Sequence, residues 1–326
     1  MKTCKPSCIA SALMVTILLP PAVFGSLSGK LTLHHSTDGE TWTIIEITPE
    51  MIDGNGRLSL SSATSSSFFR LDLTEFAVSA EPEPMVLVEG GTLSTSNALD
   101  GTEVATFYIG RHEVTWGEWQ EVQTWGEANG YEWPSAAGRG CADNHPVHTV
   151  NWYDVLKWSN AKSEMEGLTP VYTADGEVYR SDEFGWDGSH VVEQDLSASG
   201  YRLPLEAEWE FAARGGNHTN GYTYSGSNDL DAVGWYEDNS GGAACNMLSG
   251  RGTWAVGQKA ANELGLYDMS GNVAEWCWDQ IGSARLFRGA SWSSRANRCS
   301  VSDRDGHYPD LRWFIYGFRL ARSSGQ

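Results

Sequence analysis

The segment LYDMSGNVAEWCWDQ, residues 266–280, sets Asp268, Asn272 and Glu275 among Tyr267, Met269, Val273, Trp276 and Trp278. Burying a carboxylate that is neither paired nor bound to a metal is costly, and surface segments rarely carry two indoles. These oxygens therefore have something to hold. A hard cation such as calcium takes carboxylate, amide and backbone oxygens; the alternative is hydrogen bonding to the amides of their own loop. His145 and His148 bracket Pro146-Val147, a spacing read here as loop packing rather than a metal pair. His34 and His35 lie in a strand pattern, so their rings face opposite sides and cannot share a metal.

The elements that must position these residues are short. Thr115 with Glu118 three residues on makes a capping box ahead of TWGEWQEVQTWGEANG. NWYDVLKWSNAKSEMEG is a second helix, with Asn151 as cap, Asp154 complementing the dipole, Gly167 as stop, and Val155, Trp158, Ala161 and Met165 at helical spacing. PVYTADGEVYR predicts a hairpin around Asp175-Gly176, and PLEAEWEFAARGG a third helix ending at Gly215-Gly216. Upstream, GKLTLHHSTDGETWTIIEITPE, GRLSLSS and FFRLDL read as strands separated by turns at Asp38-Gly39 and Asp53-Gly54-Asn55-Gly56. A Pro- and Glu-bearing linker, AVSAEPEPM, follows. No fixed-period repeat appears.

The 326 residues are 40% apolar, so a sizeable core is affordable, and the 15 Trp exceed the 12 Tyr and 10 Phe, as in a loop-rich fold braced by large rings. A formal charge of −20 argues against nucleic acid and anionic membrane partners and permits cationic ones. Residues 1–25 have the form of a secretory leader: Lys2 and Lys5, the apolar IASALMVTILL, then small residues up to Gly25. Cleavage there removes two positive charges and no acids, taking −20 to −22. No other stretch is long and apolar enough to span a membrane. The expectation is an exported protein, secreted or held in the periplasm or cell envelope. Cys4 and Cys8 leave with the leader; Cys141, Cys245, Cys277 and Cys299 remain, allow three full pairings, and contain no CxxC pair for structural zinc.

The ordered set MVLVEGGTL, FYIGRHEVTWGEW, HPVHTVNWYDVLKWSNAKS, YRLPLEAEWEFAARGG, LGLYDMSGNVAEWCWD, FRGASW and YGFRLAR closely resembles the formylglycine-generating enzyme, or sulfatase-modifying factor, family. The resemblance covers about residues 85–326. It implies an irregular, loop-rich α+β fold related to C-type lectins, here preceded by a leader (1–25), a small β-rich module (26–76) and a linker (77–84). It also implies an oxidase that converts a cysteine of a sulfatase-like protein to formylglycine with oxygen and with copper held by two thiolates, and a structural calcium.

Carried over residue by residue, the resemblance gives calcium ligands at Asp268 and Glu275 through their side chains and at Gly271 and Val273 through their carbonyls. The counterpart of a second calcium loop, CNMLSGRGTWAVGQK, keeps Asn246 but has no acid before Glu263, so that site is expected to be degenerate. Counted from Gly289-Ala290-Ser291, the two catalytic cysteines fall on Ser294 and Cys299. A hydroxyl is a poor ligand for soft copper(I), and Cys299 is read either as the remaining thiolate or as half of a disulfide. Leu205 stands where the family has a capping Thr. Two functions follow as expectations: a formylglycine-forming oxidase acting on an exported protein, with its copper site incomplete, or a non-catalytic module binding a protein or glycan on the same scaffold.

Overall fold

The computed structural model describes residues 85–325 apart from 182–190 and 243–246, together with five strands within 13–72. The chain divides into two compact units, Met1–Glu83 and Pro84–Gln326.

The first unit contains β1 (Leu13–Leu18), β2 (Leu31–Ser36), β3 (Thr43–Ile47), β4 (Arg57–Ser62) and β5 (Phe68–Asp72). β2 lies between β3 and β5 in an antiparallel sheet, and β1 pairs antiparallel with β4, Leu13 opposite Ser62. β2 to β5 occupy the segments whose alternation predicts strands. β1 falls inside the stretch read as a leader, so cleavage after Gly25 would take this strand away from β4. His34 and His35 sit on β2, but their side chains lie outside the described residues.

The second unit begins with β6 (Met85–Val88), β7 (Gly91–Thr92), β8 (Glu103–Val104) and β9 (Phe107–Gly110). Two helices follow, α1 (Trp116–Ala128) and α2 (Trp152–Met165). Both start at the caps visible in the sequence: Thr115 accepts from the Glu118 amide, and Asn151 from that of Asp154. β10 (Tyr172–Ala174) and β11 (Glu177–Val178) form the expected hairpin, with Asp175 and Gly176 at φ 52° and 83°. This left-handed pair gives a two-residue turn the twist its strands need. After β12 (Val192–Gln194) and β13 (Tyr201–Arg202) come α3 (Glu206–Ala213) and the single turn α4 (Leu230–Val233). The chain closes with β14 (Ala274–Ile281), β15 (Ala284–Arg288), β16 (Arg304–His307), β17 (Tyr316–Gly317) and β18 (Ala321–Ser323).

Two four-stranded sheets organise this unit, in the orders β13-β18-β9-β6 and β16-β15-β14-β17. Between them lie long loops with little regular structure. Buried indoles hold those loops by their N–H groups as well as by area: Trp152 donates to the Cys277 carbonyl (2.9 Å), Trp158 to that of Trp119 (3.1 Å) and Trp276 to that of Val150 (3.1 Å). A large ring with one polar corner can fill a core and satisfy a loop carbonyl at once. The high Trp count therefore compensates for the scarcity of backbone ladders.

Candidate functional site

The oxygens of 266–280 meet a buried arginine. Glu275 accepts from Arg319 Nε (2.6 Å) and Nη2 (2.7 Å), and from Trp209 Nε1 (2.6 Å). Arg319 also reaches the carbonyls of Gly110 and Tyr267 (both 2.9 Å). Asn272 donates to Glu113 Oε2 (2.8 Å), and the Val273 amide donates to Glu113 Oε1 (3.0 Å). Glu113 thus joins the cluster from 159 residues away from Asn272. Burial drives the Glu113 carboxyl well above its usual range, with Asp268 and Glu275 adding to the effect. The sequence signal at Glu113 is an acid set near Phe107, Ile109, Val114 and Trp116, as the acids of 266–280 are set among apolar residues.

Asp268 is held at φ 59° and accepts from the Gly257 amide through Oδ2 (2.7 Å). Its other oxygen, Oδ1, is buried without a hydrogen-bond partner. Burial raises its pKa to about 6. Of the side chains expected to bind calcium, Asp268 therefore keeps one open oxygen, whereas both oxygens of Glu275 are taken by a guanidinium that already supplies the positive charge. Gly271 sits at φ 126°, where a Cβ would lie 2.2 Å from the Trp235 carbonyl oxygen. Its amide donates to the Gly289 carbonyl (2.7 Å) and ties this loop to the one carrying Ser294. Among the described residues no three His, Cys, Asp or Glu side chains converge in a metal-ligating group.

Ser294 lines a cavity of about 290 Å³ on the β16-β15-β14-β17 sheet. Phe287, Tyr316, His307 and Trp313 supply rings, and the 289–298 loop supplies Ser291 and Ser294. The Ser294 hydroxyl accepts from the Ser291 amide (3.1 Å) and lies 3.2 Å from the Ser291 hydroxyl. Arg298, at the same cavity, bridges Asp303 (3.2 Å) and Asp305 (2.5 Å). Arg288 is paired with Glu206 (3.2 Å) and Glu210 behind the sheet.

Cys299 does not share this cavity. Its thiol is fully buried in an apolar cluster with Leu230, Val233 and Tyr236, and burial pushes its pKa up to about 12. Both Cys299 and Cys277 are free, and Cys141 is disulfide-bonded. Cys299 is thus neither half of a disulfide nor a thiolate facing Ser294. The donor set does not fit copper(I): the cavity presents hydroxyls, and the nearby thiol stays protonated in an apolar setting. Cys245 and Asn246 lie outside the described residues.

The remaining histidines of the sequence reading are loop side chains. His145 Nδ1 lies 3.2 Å from the Thr253 hydroxyl and His148 Nδ1 2.8 Å from that of Thr149. Burial lowers both pKa values, that of His148 to about 4.

Short strands, loops pinned by indoles and a cavity at the 289–298 loop define a protein with the fold of formylglycine-generating enzymes. Residues 72–324 match the sulfatase-modifying factor enzyme 1-like domain, and the chain belongs to that family. It is 37% identical to the chaperone protein LppX of Paenibacillus barcinonensis, over 74% of this chain and 90% of that relative. It is 35% identical to the inactive C-alpha-formylglycine-generating enzyme 2 of Bos taurus, over 42% of this chain and 50% of the relative, so that it spans half the length of that protein. The crystal structure of CarF superposes with a TM-score of 0.61 at 32% identity, covering 74% of this chain and 98% of CarF.

Proposed function

We propose that this chain is an exported, non-oxidising member of the family that binds its ligand in the cavity beneath Ser291 and Ser294. The separation of thiol from cavity carries this reading. Where a family oxidase needs two thiolates around copper, this cavity offers the Ser294 hydroxyl, while the Cys299 thiol is buried among Leu230, Val233 and Tyr236. The leader-like N-terminus supports export. One relative bears the name of a chaperone and another that of an inactive enzyme, and both names accord with binding rather than oxidation. Family membership supports the rival reading, an oxidase that converts a protein cysteine to formylglycine.

Copper(I) titration separates the two. The wild type is expected to hold no stoichiometric copper(I) and to leave a sulfatase-type cysteine peptide unoxidised by mass spectrometry. Ser294→Cys is expected to add one thiol that reacts with a disulfide reagent in the folded state, because the cavity is open there, yet still to hold no copper against a competing chelator. A lone thiolate does not make a two-coordinate site. Stoichiometric copper together with aldehyde formation by the wild type would overturn the reading.

A further inference from the structure

We propose that the cavity on the β16-β15-β14-β17 sheet takes one neutral sugar ring of a glycan, stacked on Trp313. This rests on the reading of the chain as a binding protein and names the class of its ligand. At about 290 Å³ the cavity is the size of a single ring, at the small end of ligand pockets, which run from roughly 300 Å³ upward. Trp313 lines it yet remains 44% exposed. It is held edge-on to Tyr316, with ring centroids 6.2 Å apart at 84°. A half-open indole fixed by its neighbours suits the C–H face of a pyranose.

The polar lining suits hydroxyls. His307 Nδ1 accepts from the Tyr308 amide (2.8 Å), which leaves Nε2 to carry the proton and donate. The Ser294 hydroxyl, partly exposed and backed by the buried Ser291 hydroxyl, can donate or accept. Arg298 with Asp303 and Asp305 places donors and acceptors side by side, as vicinal hydroxyls require. The charges also favour a neutral ligand. Arg298 pairs both Asp303 and Asp305 in the lining, and Arg288 is already paired with Glu206 and Glu210, which leaves no uncompensated cation there for an acidic sugar. An acidic sugar would meet a chain of formal charge −20. An apolar peptide side chain would cut off Ser294 and Asp305 from water without replacing their hydrogen bonds, a net loss.

The test titrates the full chain calorimetrically with cellohexaose, xylohexaose, maltohexaose and mannohexaose. Oligogalacturonate is the acidic control, and reduced, carboxymethylated α-lactalbumin the polypeptide probe. The expected result is saturable binding of at least one neutral oligosaccharide and none of oligogalacturonate. Trp313→Ala should weaken that binding about tenfold, and Trp313→Phe should restore most of it, since stacking needs a ring. Equal melting temperatures for the three proteins show that the fold is intact. If a mannan binds, the glycoprotein ribonuclease B distinguishes a protein-borne glycan from a free polysaccharide, and either source supports the inference. Failure of every neutral oligosaccharide, or binding indifferent to Trp313→Ala, overturns it. Binding of the polypeptide probe alone, lost in Trp313→Ala, also overturns it but leaves the binding function standing. Copper-dependent oxidation of a cysteine peptide removes the function underneath.

Discussion

Asp268 and Glu275 come from one short segment with similar burial, yet their surroundings differ because their partners differ. Glu275 is closed by Arg319 and Trp209. Asp268 has one amide donor and one open oxygen. Glu113 is buried beside them, burial raises the pKa of both Glu113 and Asp268, and the open oxygen of Asp268 is the one place in the cluster for an added proton or cation. The calcium expectation therefore narrows to the Asp268 side of the cluster. Calcium is expected to raise the melting temperature of the wild type by a few degrees relative to the chelated protein, in keeping with ligand linkage. Asp268→Asn, which removes the charge but keeps the shape, should make the melting temperature insensitive to chelation. Equal melting of the wild type with and without chelator would mean that Arg319 alone holds the loop.

Among the elements, α3 shows how a missing local signal is replaced by a distant one. Leu205 precedes it and has no side-chain acceptor, so the sequence predicts an uncapped N-terminus. In the fold Asp279, on β14, accepts from the Glu206 amide (2.6 Å), and Glu208 accepts from the Leu205 amide (2.8 Å) while forming an ion pair with Arg202 (2.7 Å). Asp279→Ala should then cost about 1 kcal/mol in urea unfolding, the usual worth of a cap. Adding Leu205→Thr to that variant should recover part of the loss; no loss in the single variant would mean that water caps the helix equally well. The same contrast explains what the sequence disclosed. α1, α2 and the β10–β11 hairpin were legible because their signals lie within a few residues: Thr115 with Glu118, Asn151 with Asp154, Asp175 with Gly176. Counting forward from Gly289 singled out Ser294, in place of a catalytic cysteine, and Ser294 lines the cavity. Glu113 on Asn272, Arg319 on Glu275 and the burial of Cys299 under α4 were not legible, because each depends on loops brought together by tertiary packing. His307 and Trp313 lie outside the quoted motifs, and Tyr316 opens YGFRLAR without being marked by it as a cavity wall.

Across the whole molecule, burial acts in opposite senses on acids and bases, and the balance sets how stability responds to pH. Glu113 and Asp268 have raised pKa values and favour folding on the acid side. His148 and His112 are held neutral by burial, with pKa values lowered to about 4 from an ordinary 6.5. For each histidine the unfolded chain takes up a proton near pH 6.5 while the folded chain does so only near pH 4. Between those values the unfolded state binds more protons, so the histidine contribution to stability is complete above pH 6.5 and is lost as the pH falls toward 4. The acids pull the other way over part of that range, so the wild-type curve alone does not isolate either class. A difference measurement does. His148→Gln keeps a hydrogen-bonding side chain beside Thr149 but has no proton to gain. Its unfolding free energy minus that of the wild type should rise on acidification from neutral pH to about 4.5, by on the order of 2 kcal/mol once partial solvent access is allowed for. Urea unfolding of both proteins at matched ionic strength would read this directly. Two parallel pH curves would show that His148 is not held neutral in the folded protein.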